Sequence, residues 1–153
     1  MRLPGLLVLT DRTQCAGPLL DVLAAAVDGG ARAVVLREKD LPEEERAALA
    51  DALRALLDPV GGVLVQAGIA GPAGPAAVHL ASNDPFPSAR PPLVGRSCHS
   101  ADELARAEAE GCDYVMLSPV FPTPSKPGYG PALGLDGFAR LLTGALPAYA
   151  LGG

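Results

Sequence analysis

Seven short apolar segments recur along this chain, and each is apolar at successive positions rather than at alternate ones. They are Leu6–Asp11, Ala33–Leu36, Gly62–Gln66, Ala77–Leu80, Leu93–Ser97, Asp113–Ser118 and Ala148–Leu151. A strand with that pattern is buried on both faces, and such strands belong to parallel sheets with helical crossovers. The intervening segments supply helices. Pro18–Val27 carries apolar residues at helical spacing and is closed by Gly29-Gly30. Leu41–Leu57 opens on Pro42 and three glutamates, which suits the positive end of a helix dipole. Ser100-Ala-Asp-Glu103 reads as a capping box that starts a helix running to about Glu110, and Leu135–Leu142 reads as a last helix. Gly68–Pro75, Asn83–Pro92 and Pro119–Gly134 are rich in Pro and Gly and read as loops.

Alternating β and α units of this kind form either a doubly wound sheet or a (β/α) barrel. No G-x-G-x-x-G follows the first strand, which argues against a dinucleotide fold. Polar residues instead follow one strand after another: Asp11-Arg12, Arg37-Glu38-Lys39, Gln66, Ser97 with His99, and Ser118. In a barrel those strand ends share one mouth, where active sites are built. The expected fold is therefore α/β, a TIM-type (β/α)8 barrel truncated after its seventh strand, in a single domain of 153 residues. A missing eighth strand would leave edges unpaired, so self-association into a homo-oligomer is expected.

Composition narrows the function classes. The chain is 49% hydrophobic and 19% charged, which excludes intrinsic disorder. A net charge of −5 gives no basic footprint for nucleic acid. No apolar run approaches the roughly 18 residues of a membrane span, and Met1–Asp11 lacks the features of a signal peptide, so no membrane partner and a cytoplasmic location are expected. Cys15, Cys98 and Cys112 form no C-x-x-C and read as small reduced hydrophobes.

LTDR (Leu9–Arg12), LREKD (Leu36–Asp40), AVHL (Ala77–Leu80), GRSCHSADEL (Gly95–Leu104), DYVMLSPVFPTPSKPG (Asp113–Gly128) and ALGG (Ala150–Gly153) are each a weak signal. In this order and spacing they resemble the thiamine-phosphate synthase/TenI superfamily of (β/α)8 barrels. The resemblance covers the whole chain and implies that a strand–helix unit and a terminal helix, about 45 residues, are missing at the C-terminus. It also implies a phosphorylated thiazole as substrate. Synthases of this superfamily join an aminopyrimidine methyl diphosphate to a thiazole phosphate with Mg²⁺ and release pyrophosphate. TenI-type proteins are thiazole tautomerases, which aromatise the thiazole carboxylate phosphate before that coupling.

The departures from the synthase pattern are specific. Val35 stands where synthases carry Gln, while Arg37 and Lys39 are kept. Gln66-Ala67 stands where they carry Asn-Asp, whose Asp binds Mg²⁺. The second metal aspartate falls on Asp84, so the resemblance leaves a half-built metal site. The run Gly95–Ser100 resembles TenI proteins, whose catalytic histidine falls on His99. A histidine both accepts and donates near neutral pH, as a tautomerase requires. The main expectation is a TenI-like tautomerase without a cofactor, His99 being catalytic. Arg37, Lys39, Ser97, Ser118, Thr123, Ser125, Lys126, Gly152 and Gly153 are the expected substrate and phosphate ligands. The alternatives are a Mg²⁺-dependent thiamine-phosphate synthase, and an inactive or ligand-binding fragment. Arg37 and Lys39 also read as partners of Glu38 or Glu43–Glu45, the 119–134 loop as plain surface, and His79 as a satisfied interior histidine.

Overall fold

The computed structural model describes residues 3–68, 76–123, 130–142, 144 and 146–152. Backbone contacts divide the chain into two compact units, Met1–Val78 and His79–Gly153.

In the first unit, β1 (Val8–Leu9), β2 (Ala33–Leu36) and β3 (Val63–Ala67) pair in parallel, with Val8 opposite Val34, and Val34 opposite Leu64. Helices α1 (Leu19–Asp28) and α2 (Glu43–Leu57) are the crossovers. All four residues of β2 are buried, as its unbroken apolar run requires. Leu23 and Val27 of α1 and Ala50, Leu53 and Leu57 of α2 close on Val34 and Leu36. These positions recur at three- and four-residue intervals, which puts them on one helical stripe. A buried Leu contributes about 1.5–3 kcal/mol, so this stripe holds each helix to the sheet.

β1 is shorter than its apolar run predicts. Thr10 still donates to the Val35 carbonyl at 3.0 Å, continuing the ladder by one step. Asp11 then turns the chain, its carboxylate accepting from the Thr13 amide at 3.1 Å to cap a 3₁₀ turn at Arg12–Gln14. A side chain that bonds the local backbone competes with the strand ladder.

β4 (Ala77–Leu80) is buried throughout. In the second unit β5 (Leu93–Cys98), β6 (Tyr114–Leu117) and β7 (Ala148–Ala150) pair in parallel. Gly95 lies opposite Tyr114, Ser97 opposite Met116, and Met116 opposite Tyr149. The crossovers are α3 (Ala101–Ala109) and α4 (Gly134–Leu141). The expected capping box is half formed. Ser100 Oγ accepts from the Glu103 amide at 3.2 Å, but the Glu103 carboxylate reaches the amide of His99, at 2.6 Å, instead of that of Ser100. Asn83–Pro92 is irregular, as its prolines predict, and 69–75 lies outside the described residues.

Candidate functional site

In the first unit the candidate cations follow β2. Arg37 and Lys39 are exposed and alternate with Glu38, which is 4% exposed. Glu38 is satisfied from the turn after β1: its carboxylate accepts from the Arg12 amide at 3.1 Å and from the Arg12 guanidinium at 2.8 Å. The same guanidinium takes both carboxylate oxygens of Asp40, at 2.8 and 2.5 Å. Arg12 thereby ties down the turn that displays Arg37 and Lys39, and its hydrogen bonds hold the Asp40 carboxyl below the ordinary range. The Arg37 amide donates to Thr10 Oγ1 at 2.9 Å, a second tie. The acidic partner of this turn is thus Glu38 bound to Arg12, a pair that no local spacing announces because its members follow different strands, 26 residues apart.

The end of β3 is the place where synthases keep a metal aspartate. Here Ala67 is buried and offers only its carbonyl, which accepts from Arg46 of α2. Gly68 follows with φ +96°, and a Cβ on it would lie 3.5 Å from Lys39 Cε and 3.6 Å from Nζ. An alanine and a neighbouring ammonium do not suit a hard divalent cation, which requires oxygen ligands.

In the second unit, period-two alternation sorts β5 into two faces. Gly95 and Ser97 share one, while Arg96 and Cys98 share the other. On the first face His79 of β4 is buried between two hydroxyls. Its Nδ1 is 3.0 Å from Tyr114 Oη, and its Nε2 is 2.9 Å from Ser97 Oγ. Both ring nitrogens are bonded, as in a satisfied interior histidine.

His99 follows β5 directly and is half-buried. Its amide is held by Glu103, and its Nδ1 lies 2.6 Å from the Ser118 carbonyl oxygen. A carbonyl only accepts, so Nδ1 carries the proton and the neutral ring keeps its lone pair on Nε2. Ser118 Oγ lies 3.3 Å from the same Nδ1. Ser118 is 8% exposed, and its amide donates to the Cys98 carbonyl at 3.2 Å. Ser118, expected as a substrate ligand, contacts the imidazole through both its carbonyl and its hydroxyl.

The fully buried Arg96 faces the other way. Its guanidinium donates to the carbonyls of Ala81, Ser82 and Asp84 at 2.9, 3.2 and 2.8 Å. Its second terminal nitrogen lies 2.7 Å from Glu110 Oε2, off the hydrogen-bond axis. Arg96 therefore clamps the loop that carries Asp84. The Asp84 carboxylate is itself turned to the Ala81 amide at 2.8 Å. Among the described residues no three His, Cys, Asp or Glu side chains gather as a metal site would need. Of the two expected Mg²⁺ positions, Ala67 therefore lacks a side-chain oxygen, while Asp84 keeps its carboxylate. Sequence reading missed the clamp; its one signal was a charged residue inside an otherwise apolar strand.

Gly152 has φ +106°, and a Cβ there would lie 3.0 Å from Pro119 Cα. Its carbonyl accepts from the Phe121 amide at 3.3 Å, so the end of the chain packs on the cis Ser118–Pro119 turn. Glycine is needed here for both φ and space. Thr123 is half-buried in the loop after β6, while Ser125, Lys126 and Gly153 lie outside the described residues.

A family model described as thiamine monophosphate synthase matches residues 6–153. The chain belongs to the thiamine-phosphate synthase/TenI family. It is 38% identical to the thiamine-phosphate synthase of Methanoculleus marisnigri, over 97% of this chain and 75% of that protein. It is 39% identical to that of Albidiferax ferrireducens, over 97% and 73%. Among solved structures, the thiamine phosphate pyrophosphorylase from Pyrococcus furiosus aligns with TM-score 0.80 and 26% identity, over 96% of this chain and 74% of that one. The expected α/β fold is therefore the family's TIM-type architecture, seen here in three parallel strands of each unit. Membership places the chain among enzymes of thiamine biosynthesis. No helix of the described residues is long and apolar enough to cross a membrane.

Proposed function

We propose that this chain acts on a phosphorylated thiazole and that its chemistry is proton transfer by His99, a thiazole tautomerase activity. The carrying observation is the 2.6 Å contact between His99 Nδ1 and the Ser118 carbonyl. It fixes one tautomer and reserves Nε2 as the basic nitrogen, at the end of a strand where this family builds its site. A tautomerase removes a proton from one ring position and returns it to another, so one imidazole serves as base and then as acid. No carbon–oxygen bond to a diphosphate breaks, so no leaving charge demands Mg²⁺. Ala67, which has no side-chain oxygen, agrees with that chemistry.

Coupling of a pyrimidine diphosphate to thiazole phosphate is the second reading. The names of the relatives favour it, since both quoted above are called thiamine-phosphate synthases. One pair of assays separates the two. The purified chain is expected to isomerise the thiazole carboxylate phosphate tautomer without added Mg²⁺, and His99→Gln to lose about 10²- to 10⁴-fold in kcat. Formation of thiamine phosphate only when Mg²⁺ is added, with no isomerisation, would overturn the first reading in favour of the second.

A further inference from the structure

Behind Ser97 lies a buried hydrogen-bonded chain that the proposed proton transfer does not use. Tyr114 is fully buried, and its hydroxyl meets His79 Nδ1, whose ring in turn meets Ser97 Oγ. The phenol ring is pinned on several sides. Its atoms would lie 2.0–2.5 Å from a Cβ on Gly95, so only glycine leaves room beneath it. Tyr149 meets it edge-on at 5.6 Å between centroids, and His79 stacks on it at 5.5 Å and 28°.

With the imidazole neutral, the phenol, the ring and the serine hydroxyl share three mobile protons, and two arrangements satisfy both contacts. In one, Ser97 donates to Nε2, Nδ1–H donates to Tyr114, and the phenol proton must find a further acceptor. Tyr114 is 0% exposed, and among the described residues its hydroxyl has no recorded partner besides His79. That arrangement leaves a buried donor unpaired, a bias of roughly 5- to 150-fold against it. In the other, Tyr114 donates to Nδ1, Nε2–H donates to Ser97, and the surplus proton belongs to Ser97. Ser97 is half-buried near the C-terminal end of β5, where that proton reaches solvent or a ligand.

We propose that Tyr114 and His79 are positioning residues that fix Ser97 as a hydrogen-bond donor, aimed at an acceptor atom of the bound ligand, a phosphate or carboxylate oxygen or a ring nitrogen. The ligand part of this statement rests on the substrate reading above; the direction of the chain does not. His79 and His99 then hold opposite tautomers, Nε2–H and Nδ1–H, and they are the chain's two histidines.

Nitrogen-15 histidine spectra of the intact chain read both tautomers directly, with His79→Gln assigning the signals. The expected spectrum has His79 in the Nε2–H form. His79 in the Nδ1–H form in the unmodified chain overturns the relay without any assay of function. Calorimetric titration with thiazole phosphate tests the ligand. His79→Leu is expected to bind about ten-fold more weakly than the unmodified chain. His79→Gln, whose amide still donates to Ser97, is expected to recover most of that loss. Equal affinity in His79→Leu overturns the positioning role. No binding by the unmodified chain, with tautomers as expected, overturns the substrate reading and leaves the direction of the relay standing.

Discussion

Arg96 carries more of the second unit than its place in a strand suggests. A buried guanidinium is costly unless each donor finds a partner. Here the two donors of one terminal nitrogen are shared among three carbonyls of one loop, and the other terminal nitrogen faces Glu110 at 2.7 Å. Glu110 is also held by Arg106 at 2.8 Å, so the carboxylate joins the buried strand to the exposed helix surface. Methionine would fill the same space without donors, leaving the Ala81 carbonyl without this donor and the Ser82 and Asp84 carbonyls with only their longer contacts to Arg106. Arg96→Met is therefore expected to lower the urea-unfolding free energy by about 3–5 kcal/mol. Arg96→Lys is expected to recover less than half, because a point charge does not span the fork. A loss below about 1 kcal/mol for Arg96→Met would show that the loop holds itself. The sequence displayed Arg96 only as a charge between Gly95 and Ser97. Its partners lie 12 to 15 residues away, and no periodicity encodes such contacts.

Helix α3 shows what local pattern does and does not encode. Ser100 at the cap and Gly111 beyond the end were readable, and the helix runs Ala101–Ala109 between them. Gly111 takes φ +78°, a conformation that glycine adopts cheaply. What the pattern misplaced is the second arm of the box, since Glu103 bonds the His99 amide. The consequence is functional as well as structural: the cap that starts α3 also fixes the backbone of the candidate catalytic residue. Ser100→Ala is expected to cost about 1 kcal/mol in unfolding free energy. Because Glu103 still holds His99, the Nδ1–H signal of His99 is expected to persist. Loss of that signal in Ser100→Ala would show that the serine, not the glutamate, seats the histidine. Strand ends were less legible than strand cores. β1 keeps two residues of a predicted six, and at its C-terminal end Asp11 redirects the backbone, a competition decided by hydrogen bonds to Thr13 and Gln14.

At the scale of the whole chain, the two units carry opposite electrostatic signatures. In the first, Asp11 and Asp40 are held below the ordinary carboxyl range, chiefly by hydrogen bonds from Thr13 and from Arg12. Their contribution to stability is present above the unfolded pKa near 3.8 and fades as pH falls through the lowered values. In the second, burial pushes the Cys98 thiol up to about 12 and also raises Cys112, Tyr114 and Tyr149. A raised acid binds its proton more tightly in the folded state. That stability is complete below the unfolded values of 9.0 for a thiol and 10.0 for a phenol, and is lost as pH climbs towards the folded ones. Each such group steepens the decline by at most about 1.4 kcal/mol per pH unit. The urea midpoint is therefore expected to hold between pH 7 and 8.5 and to fall between 9 and 11. Tyr114→Phe, which keeps the ring over Gly95 but removes the phenol, is expected to start lower at pH 8 and to fall less steeply above pH 10. A midpoint that stays level to pH 11 would mean that the thiols and phenols reach water more readily than their packing on β5, β6 and β7 allows.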